Sequence, residues 1–245
     1  MNRHLLGMLT PSSNTRLEPV TSAMLADVPD TSAHFGRFRV TEIALSTAAL
    51  AQFDLSGILA AAELLADARC QVIGWSGTSS SWLGFDADER LCAAITERTG
   101  AMACTSVLAL NEALRMTGVT RLGLVTPYRA DVQAAIVANY AALGIGCTER
   151  HLGLQDNFSF SDVSDQQIRE MVAEVMDAPE ASRPQAVTIL CTNVRGAPLV
   201  PELEALYGVP VYDSIATVVW KALRLAGVST GCLAPWGSIF SLPVD

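Results

Sequence analysis

The sequence predicts an α/β protein of two pseudo-symmetric lobes, each a small parallel sheet flanked by helices. Three observations predict this: an internal repeat, short apolar runs without alternation, and helical-period segments between them. In the repeat, "LGMLTP" (6–11) returns as "LGLVTP" (122–127), and "ALRMTGV" (113–119) returns as "ALRLAGV" (222–228). Between them "ACTSVLAL" (103–110) has a looser echo in "VYDSIATV" (211–218). The order is kept, while the offset falls from 116 to 109 residues, so the copies differ by loop insertions. A boundary near residue 120 follows, giving lobes over 1–119 and 120–245, with the C-terminal segment in reach of the first lobe.

Taken in order, "LLGML" (5–9) reads as a strand, because parallel strands covered on both faces are continuously apolar. "SGILAAAELLADA" (56–68) reads as a helix and "CQVIGW" (70–75) as the next strand. "ACTSVLAL" is a short strand, a Thr-Ser helix cap and a helix. The second lobe opens with the strand "RLGLV" (121–125) and the helix "RADVQAAIVANYAALG" (129–144), which stops at glycine. After the capping box Ser164–Gln167, residues Ile168, Met171, Val172, Val175 and Met176 fall on one helical face. "AVTIL" (186–190) is a strand, "VYDS" a strand and cap, and "SIATVVWKALRLAG" (214–227) a final glycine-stopped helix.

Composition narrows the function. The 245 residues carry 25 acidic and 16 basic side chains, a net charge of -9, so a nucleic-acid backbone would be repelled. Half the residues are apolar, which suits a packed globule. The apolar N-terminal stretch reaches Pro11 too soon for a signal-peptide core, and no apolar run approaches the ~18 residues of a membrane span. A cytoplasmic protein without membrane contact is expected. Six cysteines (70, 92, 104, 147, 191, 232) form no CxxC pair and three histidines are scattered, so neither a metal site nor a disulfide framework is expected.

In open parallel sheets ligands bind beyond the carboxyl ends of the strands, and two such lobes enclose a cleft. The strand ends here are "TPSSN" (10–14), "WSGTSS" (75–80), "TPYR" (126–129) and "CTNVRG" (191–196). Cys191 thus stands at a cleft, although a lone cysteine at the end of an apolar run also reads as a packing residue. A helix or turn starting after it would favour the thiolate and offer the Thr192 N–H as a donor. Ser12 and Asn14 serve equally well as caps for a helix near Thr15, "GTSSS" as a plain turn, and Tyr128 as a packing residue.

These motifs resemble the Asp/Glu racemase superfamily, within it the arylmalonate decarboxylase and maleate isomerase branch. "PSSNT" (11–15) is similar to the maleate isomerase pattern and "GTSSSW" (77–82) to the decarboxylase loop. "TPYRADV" (126–132) and "ILCTN" (189–193) are similar to motifs of both, and the resemblance runs in order over nearly the whole chain. It implies a cofactor-independent enzyme that forms an enediolate beside a carboxylate and moves a proton with cysteine. Cys191 is the implied acid. Gly77, Thr78, Ser79, Tyr128, Thr192 and Asn193 are the implied surroundings of the retained carboxylate, and Asn14 and Asn157 the implied amides for a second one.

Racemases of the superfamily place one thiol in each lobe, but the first-lobe position that matches Cys191 falls near Gly77, and "IGWSGTSSS" holds no cysteine. The expectation is therefore a decarboxylase of a small dicarboxylate or substituted malonate, with a homodimer compatible. An isomerase or racemase using water or Ser79 in place of the first thiol is the alternative, and a non-catalytic carboxylate-binding protein a third.

Overall fold

The computed structural model describes residues 3–243. The first half of the chain forms β1 (His4–Pro11), α1 (Leu17–Leu25), β2 (Thr31–Phe38), α2 (Thr47–Ala51) and α3 (Leu55–Asp67). It continues with β3 (Val72–Trp75), α4 (Ser80–Leu83), α5 (Asp86–Thr99), β4 (Met102–Thr105) and α6 (Ser106–Thr117). The second half forms β5 (Arg121–Thr126), α7 (Ala130–Ala142), β6 (Gly146–His151), α8 (Asp165–Met176), β7 (Ala186–Ile189), α9 (Val200–Tyr207), β8 (Val211–Asp213) and α10 (Ser214–Leu225). Two parallel four-stranded sheets result, ordered β2-β1-β3-β4 and β6-β5-β7-β8. The expected α/β class with two related sheets is the observed one.

The repeat extends to the register. Leu6 pairs with Val72 and Trp75 with Thr105 in one sheet; Leu122 pairs with Ala186 and Ile189 with Asp213 in the other. β3 and β7 are buried along their full length, which is why they read as unbroken apolar runs. Thr105 and Asp213, the last residues of β4 and β8, cap the helices that follow. The Thr105 hydroxyl accepts from Leu108 N at 3.0 Å and the Asp213 carboxylate from Ile215 N at 2.8 Å. The box at Ser164 and Gln167 starts α8 as expected.

α10 is buried on nearly all sides and packs on β3, β4 and α6, so the last long helix lies against the first sheet as well as its own. Gly74 permits this approach, since a Cβ there would meet Val218 at 2.9 Å. Residues 49–67 are apolar enough on average to span a membrane. They form two helices broken by a turn, with Asp54 capping the second, and Ile58, Ala61, Ala62 and Leu65 of α3 face the core.

Candidate active site

Every residue singled out from the strand ends lies where the two lobes meet. Asn14, Gly77, Thr78, Ser79, Tyr128, Asn157, Cys191, Thr192 and Asn193 are all buried, between four loops that follow β1, β3, β5 and β7 and a fifth after β6. Polar side chains this deep need partners, and most find them across the lobe boundary. The Thr192 hydroxyl donates to Ser76 O at 3.1 Å and accepts from Asn14 Nδ2 at 3.1 Å. Asn193 Oδ1 accepts from Thr15 N at 2.9 Å and Arg16 N at 3.3 Å, while its Nδ2 donates to Asn157 O at 2.5 Å. Asn157 Nδ2 reaches Ser13 Oγ at 2.8 Å, and Arg16 Nη2 reaches Ser161 O at 2.6 Å.

The two amides assigned to a second carboxylate are thus engaged in holding the lobes together. Asn14 also caps α1, with Oδ1 accepting from Arg16 N and Leu17 N, both at 2.9 Å. Above this layer the cleft is closed by an antiparallel bridge between Glu42 and Asp156, with Ile43 N donating to Gln155 O and Asn157 N to Thr41 O, both at 3.0 Å.

The sulfur faces the polar set. Asn193 N donates to Cys191 Sγ at 3.4 Å, and the Tyr128 phenol lies near enough to the sulfur to favour its charged form. That phenol lies 2.6 Å from Thr78 Oγ1. Either hydroxyl can be the donor of that bond, and it ties Thr78 of the first lobe to Tyr128 of the second beside the thiol. The Tyr128 ring is fixed by edge contacts with Trp82 at 5.3 Å and Phe160 at 5.5 Å between centroids. The backbone N–H groups of Thr78, Ser79 and Thr192 donate to no protein acceptor among the described residues. Buried donors without partners are rare, and these three belong to the two loops that also carry Gly77 and Cys191.

The Cys191 thiol is pushed up to about 11, chiefly by burial with the nearby Asp213 carboxylate adding to it, against the lowering effect of Tyr128, Asn193 and Val194. The condition that would favour the thiolate, a helix beginning next to the sulfur, is not met. No α-helix starts at Cys191; a turn over 192–194 and a short 3-10 segment (Ala197–Leu199) precede α9, so no helix dipole points at the sulfur. The group rests as a neutral thiol, a proton donor. Asp213 is itself fully buried and pushed up to about 7, with the N–H groups of Ala216, Ile215 and Ala197 opposing the shift. Strand-end reading found this residue only as a helix cap; its buried charge two residues of sheet away from the thiol loop has no signature in sequence. Ser13, Arg16 and Ser76 were likewise missed as lobe-joining partners. Among the described residues no three His, Cys, Asp or Glu side chains gather as metal ligands.

With that geometry in place, comparison with known proteins is decisive for the family. The arylmalonate decarboxylase family profile matches residues 6–235. The chain belongs to the arylmalonate decarboxylase family. Among curated relatives of this family, a maleate isomerase of Geobacillus stearothermophilus is 25% identical over 243 residues, covering 94% of this chain and 95% of its own. An arylmalonate decarboxylase of Bordetella bronchiseptica is 27% identical over 240 residues, covering 96% and 95%. Both relatives are named as enzymes, and this member of the family is an enzyme too. The fold is shared with a cysteine-to-serine mutant of Nocardia farcinica maleate cis-trans isomerase carrying a covalently bound succinylcysteine intermediate, with TM-score 0.87, 24% identity and 99% and 100% of the two chains covered. It is shared also with unliganded arylmalonate decarboxylase, with TM-score 0.76, 23% identity and 98% and 99% covered.

Proposed function

We propose that this enzyme decarboxylates a small dicarboxylic acid of the malonate type without a cofactor, Cys191 supplying the proton. The observation that carries this reading is the single buried thiol, neutral at pH 7 and next to the bonded Tyr128 and Thr78 hydroxyls, with a glycine at the corresponding place in the other lobe. In the proposed step the bond from the α-carbon to the leaving carboxylate breaks and carbon dioxide departs. Its electron pair forms an enediolate whose charge lies on the retained carboxylate. Thr78, Ser79 and Thr192 N–H groups and the Thr78 and Tyr128 hydroxyls are the donors for that charge, and each such donor is worth ~3–4 kcal/mol in the transition state. The thiol proton then moves to carbon, and the thiolate left behind is reprotonated from water. A thiol at about 11 suits this role, since it is fully protonated at neutral pH and still acidic enough for a carbanion.

Isomerisation of a maleate-like acid is the second reading, favoured by Asn14 in "PSSNT" and by the maleate isomerases among the relatives. It asks a thiolate to attack or a second group to act from the first lobe. The neutral Cys191 and the glycine at 77 weigh against both. The deciding experiment incubates wild type and Cys191→Ala with malonates, maleate and amino-dicarboxylates in deuterated water, following carbon dioxide, isomer and deuterium together. Carbon dioxide with one deuterium per product, lost in Cys191→Ala, is the expected result. Fumarate from maleate without carbon dioxide would replace the first reading by the second, and ligand binding with no turnover of any acid would leave a binding protein.

A further inference from the structure

Gly77 holds in the first sheet the place that Cys191 holds in the second. Trp75 ends β3 paired with Leu9 and Thr105; Ile189 ends β7 paired with Val125 and Asp213. Two residues beyond each strand end come Gly77 and Cys191, followed in both lobes by threonine. The reason for the glycine is a steric one. A Cβ built on Gly77 would lie 2.0 Å from Cζ2, 2.4 Å from Cε2 and 2.5 Å from Cη2 of Trp75. The indole covers the glycine face-on and occupies the volume in which any side chain at 77 would begin. It is a rigid ring, 1% exposed, and Phe38 packs against it at 5.0 Å with an interplanar angle of 50°. A side chain at 77 therefore cannot displace it by a small torsion, as it could a flexible chain end.

We propose that Trp75 is a specificity-determining residue whose indole walls the first-lobe face of the reaction centre, so that a proton reaches the carbon only from the side of Cys191. The role rests on the decarboxylase reading above. The planar enediolate has two faces, and the product keeps one handedness only if one face is closed both to protein acids and to water. Glycine alone would leave an opening there that water could enter. An indole over that glycine closes it with an apolar surface. Beside the ring lies a cavity of about 420 Å³ lined by Phe53, Ile58, Leu91 and Ser79. Trp75 is itself part of the wall of this space.

Two measurements test the assignment, one of them independent of any substrate. In a double-mutant cycle on melting temperature, Gly77→Cys is expected to cost about 5 °C or more in the wild-type background and little beside Trp75→Ala. Additive effects would mean that the ring does not hold the place, and would overturn the proposal whatever the enzyme's activity. The second measurement takes 2-methyl-2-phenylmalonate as a prochiral probe and reads the enantiomeric ratio of the 2-phenylpropanoate formed. Trp75→Leu is expected to lower that ratio by about tenfold, and Trp75→Ala/Gly77→Cys to racemise the product with deuterium uptake where Gly77→Cys alone does not. An unchanged ratio in Trp75→Leu would refute the wall. Absence of carbon dioxide from every malonate would instead refute the decarboxylase reading, with the thermal cycle still deciding where the ring sits.

Discussion

The protonation state of Cys191 can be titrated without knowing the substrate. Burial sets the thiol at about 11 against 9.0 for an ordinary one, two pH units apart. At neutral pH that means about a hundredfold less thiolate, or ~2.7 kcal/mol more to form it. Iodoacetamide reacts with the thiolate only, so the alkylation rate of Cys191, followed by mass spectrometry of its peptide, should rise about tenfold per pH unit and still be rising past pH 9.0. The exposed Cys232 serves as the internal reference and should react first. Tyr128→Phe removes a hydroxyl that favours the charged sulfur and moves the curve up in pH; Asp213→Asn removes a neighbouring negative charge and moves it down. A plateau in the wild-type rate below 9.0, or Cys191 reacting ahead of Cys232, would refute the reading of this group as an acid and restore a nucleophile.

Three further outcomes are expected. Asn193→Ala takes the side-chain acceptor from Thr15 N and the donor from the buried Asn157 O, while Arg16 N keeps Asn14 Oδ1, so urea denaturation should give a loss of ~2 kcal/mol, and a loss under ~0.5 kcal/mol would mean that the lobes are joined elsewhere. Asp213 has its folded value raised from 3.8 to about 7, so the folded state holds the proton more tightly than the unfolded one. The stability it contributes is full below 3.8 and is lost as pH rises towards 7, up to ~4 kcal/mol. Asp213→Asn keeps the cap and cannot ionise, so its stability should gain on wild type between pH 4 and 7; a constant difference across that window would sink the assignment. Because the site is closed over by the 41–43 and 155–157 segments, entry requires their separation, and amide exchange at Ile43 and Asn157 should slow when malonate binds. Equal exchange with and without malonate would argue for entry by another route.

Much of this was legible in the sequence because the informative features are periodic or covalently local. The matching of "LGMLTP" to "LGLVTP" is borne out as β1 and β5, each an inner strand, and the apolar runs at 72–75 and 186–189 as β3 and β7. β2 escaped because it is an edge strand, half-buried along most of "TSAHFGRF" and carrying His34 and Arg37, so no unbroken apolar run announces it. α5 escaped because acidic residues fill its first turn and only Asp88, Leu91 and Ile95 are buried. At the site, the strand end pointed to Cys191, and the family resemblance to Thr78 and Tyr128. What no pattern could supply was electrostatic and steric context. The rise of the thiol depends on total burial, the rise of Asp213 on the same, and the covering of Gly77 on the rotamer chosen by Trp75 two residues earlier.

The repeat sharpens what that context means. Three positions correspond across the pseudo-symmetry: Thr78 with Thr192, Gly77 with Cys191, and Thr105 with Asp213. The first pair is unchanged, and among the described residues neither threonine N–H has a protein acceptor, consistent with a charge shared by donors from both lobes. The other two pairs have diverged together. The second lobe carries a thiol with a buried carboxylate near it; the first carries a glycine with an uncharged hydroxyl in the matching cap. A carboxylate near a thiol disfavours the thiolate, which helps a group whose task is to arrive at the reaction protonated and to give the proton up. A second thiol opposite would take a proton from the α-carbon of the product, undoing its handedness. The asymmetry at 77 and 105 and the ring of Trp75 act in the same direction, toward transfer of one proton from one side.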